Sequence, residues 1–256
     1  MMLLNPKGDV NLHTHTYYCD GKDSPEDMVK KAIALGFRGL GFSGHEYSSI
    51  DEDFCMSPAD TEKYRGEVLA LKEKYKEKID IYLGIERDYF GDGSGYPYDY
   101  VIGSVHCIEE DGVYLPVDHT EEIMVSNVEK YFDGDYRKYV ESYYETAADV
   151  VSKTGADIVG HFDLITKFNE GNRYFDEAAD WYQEAAIGAL RKAAQNKPVF
   201  EINTGAMARG YRTKPYPADF LLAEIDRLQC PVILSSDCHD LNDLNFHFAE
   251  IIRTFV

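Results

Sequence analysis

The sequence predicts an α/β protein made of βα units around a parallel sheet, and three observations carry that prediction. Short β-rich runs alternate with longer amphipathic ones along the chain. Seven strand candidates recur in this way: "DVNLHTH", "GLGFSGHE", "DIYLGIERDY", "DYVIGSVHCI", "ADIVGHFD", "PVFEINTG" and "PVILSSDCH". The length, 256 residues, is one at which α/β barrels occur as single units. No repeat, low-complexity stretch or Pro/Ser-rich linker marks a boundary, so one domain over residues 1–256 is expected.

The connecting segments read as helices with clear start signals. After the first strand, "SPEDMVKKAIALG" offers Ser24 as N-cap, Pro25 at the first helical position, acids in the first turn and Gly36 as a stop. "SPADTEKYRGEVLALKEKYKEK" repeats the Ser-Pro opening after the second strand. From Glu109 to Asp135 the pattern is irregular, with Gly112, Pro116 and Gly134, and a loop excursion over one barrel end is expected. "YRKYVESYYETAADVVSKTG", "FDEAADWYQEAAIGALRKAAQN" and "PADFLLAEIDRLQ" continue the alternation, and a final helix is expected from about Asn242.

Composition narrows the function classes. A formal charge of -20 argues against nucleic acid as a partner, because phosphate backbones are bound through clustered Lys and Arg. No segment approaches the roughly 18 to 20 apolar residues of a membrane span, and the N-terminus lacks a basic, apolar leader; a cytoplasmic protein with no membrane association is expected. The five cysteines form no Cys-x-x-Cys pair and are read as reduced thiols.

The chemistry lies where polar residues meet strand ends. His13 and His15 end the first strand, His45 the second, Glu86 the third, His106 the fourth and His161 the fifth, while Asp237 and His239 end the last. In parallel α/β barrels the carboxyl ends of the strands face the active site, so residues far apart in sequence converge there. His-x-His and Asp-x-His on a strand send both side chains to one face, with Cys238 directed away. His119 and His247 lack such a setting and are read as ordinary histidines.

Imidazoles with a few carboxylates suit Zn, Mn or Fe rather than Mg or Ca. With Asp20, the candidate ligands number nine, His13, His15, Asp20, His45, Glu86, His106, His161, Asp237 and His239. A catalytic zinc commonly takes about three protein ligands, so three divalent ions are expected, with Glu86 as a bridge. Three such ions among three carboxylates would leave a pocket of about +3 inside an acidic protein, which suits a phosphate group.

With these residues in view, the chain resembles the PHP (polymerase and histidinol phosphatase) family, and within it the stand-alone histidinol-phosphatase branch. "HTHTYYCDG", "GFSGHE", "LGIERDY", "DYVIGSVH", "GHFDLI", "FEINTG" and "SSDCH" are similar to the family's motifs, in order, from Asp9 to His239. The resemblance implies a distorted (β/α)7 barrel with its metal site at the C-terminal ends of the strands. It also implies an allocation of ligands: His13, His15, Glu86 and Asp237 on one ion, Glu86, His106 and His161 on a second, and Asp20, His45 and His239 on a third. By the same resemblance Arg209 would reach a phosphate oxygen, and Lys167 stands beside the neutral Thr166, near where relatives carry a basic residue.

The reaction so implied is hydrolysis of L-histidinol phosphate to L-histidinol and phosphate in histidine biosynthesis, by attack of a metal-bridging hydroxide on phosphorus. Glu86, Asp237, His239 and Asp20 would form the catalytic set, with Arg209, Lys167 and Glu46 contacting substrate. The alternative within the same chemistry is a phosphatase for another small phosphomonoester or for phosphotyrosyl protein. A nuclease fits poorly with the charge, and a non-catalytic metal binder fits poorly with nine retained ligand positions.

Overall fold

The computed structural model describes residues 1–255. Along the chain, β1 (Met2–Leu3) and β2 (Val10–Asn11) precede α1 (Pro25–Ala34), β3 (Gly39–Phe42), α2 (Pro58–Tyr75), β4 (Asp80–Asp88) and β5 (Tyr100–Ser104). A hairpin, β6 (Cys107–Glu110) and β7 (Val113–Pro116), leads to α3 (Glu121–Tyr131), α4 (Tyr136–Ala147) and α5 (Val150–Thr154). Then follow β8 (Ile158–Val159), α6 (Asp180–Ala193), β9 (Val199–Asn203), α7 (Gly205–Ala208), α8 (Asp219–Arg227), β10 (Pro231–Ser235) and α9 (Phe248–Phe255). Among the described residues no helix is long and apolar enough to cross a membrane.

Eight strands form one parallel sheet in the order β1-β10-β9-β8-β5-β4-β3-β2. The sheet curls until its ends meet. Past their regular spans, β2 and β10 join through a parallel bridge between Thr14 and Cys238, where His15 N donates to Cys238 O at 3.0 Å. Below that bridge β1 fills the seam, pairing with β10, and Asn5 Nδ2 donates to both Val10 O (2.7 Å) and Leu234 O (2.8 Å). Seven strands thus make the ring and β1 plugs its lower gap, an α/β architecture consistent with the distorted (β/α)7 barrel expected.

The helix signals act as read. Ser24 and Ser57 accept hydrogen bonds from Asp27 N and Asp60 N, capping α1 and α2 with proline at the first position of each. Gly155, in the left-handed region at φ 70°, stops α5.

Two expectations are corrected. The stretch 109–135 is not a plain loop, because it holds most of the β6–β7 hairpin and all of α3. Asp111 (φ 52°) and Gly112 (φ 75°) make a two-residue turn whose handedness matches the twist of paired strands. The last helix begins at Phe248, with only a 3-10 turn at Leu241–Asp243 near Asn242.

Inside the ring, side-chain alternation separates an apolar floor from a polar top. Tyr100, Ile102, Ile158 and Ile233 pack with Leu12, Tyr82 and Val199 as a small cluster at the floor. Two residues further along β5, β9 and β10, and four beyond Tyr82 on β4, the same inward rows carry Ser104, Glu201, Ser235 and Glu86. Gly84 lies between Tyr82 and Glu86 because the Tyr100 ring crosses there, and a Cβ would sit 2.2 Å from Tyr100 Cζ. The larger hydrophobic core lies outside the ring, between the sheet and the helices.

Candidate metal centre

The polar ends of the inward rows open into a cavity of about 230 Å³, lined by, among others, Asp20, His45, Glu86, His106, His161, Asp237 and His239. His13 and His15 lie beneath it, fully or almost fully buried. The nine candidate ligands therefore converge. Their donor atoms fall into overlapping groups whose members all lie within 4.8 Å of one another: His15, Asp20, His45 and His239; His13, Glu86 and His161; His13, His15 and Asp237; His45, Glu86 and His106. His15 thus stands next to Asp20, His45 and His239 as well as to His13 and Asp237.

Glu86 is the hub. Its Oε2 faces His13 Nε2 (3.1 Å), His15 Nε2 (3.4 Å) and His45 Nδ1 (3.1 Å), while its Oε1 faces His161 Nε2 (3.0 Å) and His106 Nε2 (3.5 Å) and accepts from Ser104 Oγ (2.6 Å). Asp237 Oδ1 lies 3.2 Å from His15 Nε2 and 3.5 Å from His13 Nε2. On the other side, His239 Nε2 is 2.9 Å from Asp20 Oδ2.

Five buried atoms of this cluster, His13 Nε2, His15 Nε2, Asp20 Oδ1, Glu86 Oε2 and His161 Nδ1, have no hydrogen-bond partner. Orphaned buried polar atoms are costly, about 1–3 kcal/mol each, so they mark places where something else is bound. Imidazole nitrogens and carboxylate oxygens at such spacing fit divalent ions. The electrostatics agree. Burial opposes charge on Glu86, yet His13 and His45 hold its carboxyl well below the usual range. Burial also opposes charge on Asp237, which Arg209 and His13 keep ionised. Burial, with His239 and His45, lowers His15 to about 3, leaving its nitrogens free of an extra proton.

Residues absent from the sequence reading hold the histidines in place. Glu201 is 1% exposed; it accepts from His13 Nδ1 through Oε2 (2.9 Å) and from His161 N through Oε1 (2.7 Å). Asp88 Oδ2 meets His106 Nδ1 at 3.2 Å and accepts from His106 N at 2.9 Å. Fixing the second ring nitrogen sets the tautomer and aims the first at the centre. A sequence signal existed for Asp88, which shares the inward face of Glu86 two residues before it on the same strand.

Arg209 reaches the cavity from the end of α7, with Nη2 3.1 Å from Asp237 Oδ2 and Nη1 donating to Asp237 O at 3.1 Å. Asp237 has φ 48°, a rare value for a non-glycine residue, and Gly205 makes room for it: a Cβ there would be 2.8 Å from Asp237 Oδ2. Lys167 also lines the cavity, donating to Asp118 O (2.5 Å) and lying 3.3 Å from Asp118 Oδ2, whereas the Thr166 hydroxyl turns inward to Asp163 O. Glu46 borders the cavity, but its carboxylate is taken up by Arg87 Nε (2.5 Å) and by Ser94 N (2.9 Å) and Oγ (2.6 Å), which leaves little of it for a substrate.

Of the histidines set aside from sequence, His119 is brought into the cavity wall and His247 is not. The five cysteines are free; Cys107, Cys230 and Cys238 are buried, and Cys19 Sγ approaches His15 Nδ1 at 3.6 Å.

Comparison with known proteins agrees with this architecture. The chain is 25% identical over 262 residues to the histidinol-phosphatase of Bacillus subtilis (strain 168), covering 94% of this chain and 97% of that protein. A crystal structure from Listeria monocytogenes, described in the words "putative histidinol phosphatase", superposes with a TM-score of 0.81 at 23% identity, covering 94% of this chain and 99% of that one. The histidinol phosphate phosphatase of Lactococcus lactis subsp. lactis Il1403, solved with zinc, L-histidinol and phosphate, gives a TM-score of 0.66 at 23% identity, covering 97% and 93%. The PHP domain profile matches residues 11–205, which include seven of the nine converging ligand candidates. The chain belongs to the PHP domain family.

Proposed function

We propose that this protein is a metal-dependent phosphoric monoester hydrolase acting on L-histidinol phosphate, releasing L-histidinol and phosphate, with residues 1–256 as one phosphoesterase unit. The observation that carries the proposal is the convergence of nine ligand candidates, five of them with orphaned buried atoms, around and beneath the cavity that Arg209 also lines. The substrate assignment is supported by relatives named for that activity and by the Lactococcus lactis protein, solved with L-histidinol and phosphate.

Three divalent ions, Zn, Mn or Fe, would be held by His13, His15, Asp20, His45, Glu86, His106, His161, Asp237 and His239. Bound there, they would lower the pKa of water toward neutrality and offset charge on the phosphoryl group. The chain's own contribution is placement. Glu86 keeps five imidazoles facing one carboxylate, and Glu201 and Asp88 fix which nitrogens face inward. Arg209, tethered by Asp237, would bind a phosphoryl oxygen, since its planar fork suits phosphate; Lys167, which lines the same cavity, would add a second cation. Glu46 is better suited to steadying the residue beside it, His45, through Arg87 and Ser94 than to touching substrate.

The test is phosphate release by metal-reconstituted protein from L-histidinol phosphate, p-nitrophenyl phosphate and a phosphotyrosyl peptide. A kcat/KM at least about a hundredfold higher for L-histidinol phosphate is expected. Equal slow rates on all three would keep the hydrolase and discard the substrate. Asp237→Ala should abolish turnover while far-ultraviolet circular dichroism stays unchanged; retained turnover would remove Asp237 from the site.

A further inference from the structure

The two cations of the cavity wall, Lys167 and Arg209, stand outside the sheet. Lys167 closes a single 3-10 turn, Leu164–Thr166, in the segment between β8 and α6, and Arg209 ends the four-residue α7 after β9. Strand pairing therefore does not set their relation to each other, and long cationic side chains are costly to order at the moment a ligand binds.

Behind them lies a buried ion pair with no part in the centre already described. The side chains of Arg212, just past Arg209, and Glu177, in the loop that carries Lys167, are 11% and 18% exposed, and neither lines the cavity. They meet as a fork, Arg212 Nη1 to Glu177 Oε1 at 2.9 Å and Nη2 to Oε2 at 3.1 Å. Nη1 also donates to Thr166 O at 3.0 Å, the carbonyl next to Lys167, and Nε lies 3.3 Å from Glu170 Oε2. Glu177 is fastened to its own loop by Asn169 Nδ2 at 3.0 Å, and Asn169 Oδ1 in turn accepts from Tyr174 N (2.9 Å) and Phe175 N (3.1 Å). Packing extends the link: the Tyr211 ring stands edge-on to Phe168 with centroids 5.5 Å apart, and Lys167 Nζ lies 5.0 Å from the Tyr211 ring centre.

We propose that Arg212 and Glu177 are positioning residues, a clamp between two loops that holds Lys167 and Arg209 ready to grip one phosphoryl group. A buried ion pair gains little net stability over an apolar pair of the same size. What this one supplies is a fixed relation between the loops, so that the cations are already ordered when the anion arrives. The clamp acts at the phosphoryl end and serves every phosphomonoester alike; it rests on the phosphatase reading above and not on the identity of the alcohol.

The experiment compares metal-loaded wild type with Arg212→Lys, which keeps the charge and loses the fork, with Glu177→Gln, which keeps the shape and loses the charge, and with the double variant. It reads the dissociation constant of inorganic phosphate by titration calorimetry, KM and kcat on L-histidinol phosphate and p-nitrophenyl phosphate, and metal affinity by chelator competition. Arg212→Lys should weaken phosphate about tenfold and raise KM by a similar factor on both substrates, with kcat changed less than about threefold, because binding of the phosphoryl group is what is lost. Glu177→Gln should act in the same direction by about threefold, and the double variant should be no worse than Arg212→Lys, since both substitutions break one unit. Metal affinity should stay at the wild-type value. Glu224→Gln, which breaks an ion-pair network on α8 outside the cavity wall, is the control and should lower the melting temperature without touching phosphate binding.

Clamp variants that melt earlier but bind phosphate as tightly as wild type would overturn the proposal and leave a purely structural ion pair. Losses that add in the double variant, a loss on one substrate only, or a matching fall in metal affinity would overturn it as well. A wild type that binds phosphate yet hydrolyses neither substrate would overturn the phosphatase reading instead, while the calorimetry still decides the clamp.

Discussion

Glu201→Gln keeps the shape of a buried side chain and changes one atom, so it isolates what the carboxylate does. In the wild type Oε1 accepts from His161 N (2.7 Å) and Asn203 Nδ2 (2.8 Å), and Oε2 accepts from His13 Nδ1 (2.9 Å). Every neighbour is a donor. Either orientation of the glutamine amide turns an NH2 group against a donor, and the arrangement that keeps two hydrogen bonds turns it against His13 Nδ1. His13 then relieves the clash by carrying its proton on Nε2, the atom that faces Glu86 and Asp237. A protonated Nε2 cannot ligate, so metal affinity should fall about ten- to a hundredfold. One buried donor left unmatched costs about 1–3 kcal/mol, which at this chain length lowers the melting temperature of metal-free protein by roughly 5 °C. Competition with a chromogenic chelator gives the first quantity and calorimetry the second. Wild-type affinity in Glu201→Gln would refute the placement of His13 as a ligand through Nε2.

Gly84→Ala drives a methyl into the Tyr100 ring and should cost at least about 1–3 kcal/mol, read as a lower urea midpoint. The Arg227 hydrogen bonds, with Arg191, hold Glu224 at about 2, below an unfolded value of about 4.3. That stabilisation is full above the unfolded value and is lost as pH falls through the folded one; after solvent screening it amounts to about 1 kcal/mol. Unfolding of the wild type from pH 6 to pH 2 should show the decline, and Glu224→Gln should flatten it while lowering stability at pH 6. Chelation should destabilise the protein by about 4 kcal/mol if free metal stands near a thousandfold its dissociation constant; an unchanged melting temperature with chelator would count against bound ions.

The ring strands and their order of use were legible because each carries either a near-continuous apolar run or a chemistry-bearing end, as in "GFSGHE" and "DYVIGSVH". Ligand candidates stood out for the same reason, since two histidines one residue apart on a strand share a face. β1 was not legible: two residues, Met2 and Leu3, carry no periodicity, and their pairing depends on a seam that exists only once the ring closes. The β6–β7 hairpin was legible and missed, as the Asp-Gly turn at Asp111–Gly112 is a strong local signal. Glu201 and Asp51 illustrate a different limit. An acidic residue is common on any surface, and only the folded ring shows that Glu201 faces two histidines from neighbouring strands, or that Asp51 and His119, far apart in the chain, meet across a cavity.

The seam between β2 and β10 has a consequence for synthesis. Asp20 and His239 meet across 219 residues of chain, and Asn11 and Ser236 across 225, so the first motif waits for the last. A nascent chain can form its early βα units on the ribosome, but it presents an open sheet with exposed edges until β10 arrives. Incomplete chains would therefore have no full set of ligands, and a product cut short before Asp237 would be recognisable to quality control by its unpaired β2 edge rather than by any loss of early folding. Hydrolytic chemistry in this protein is confined to chains that have been made past His239.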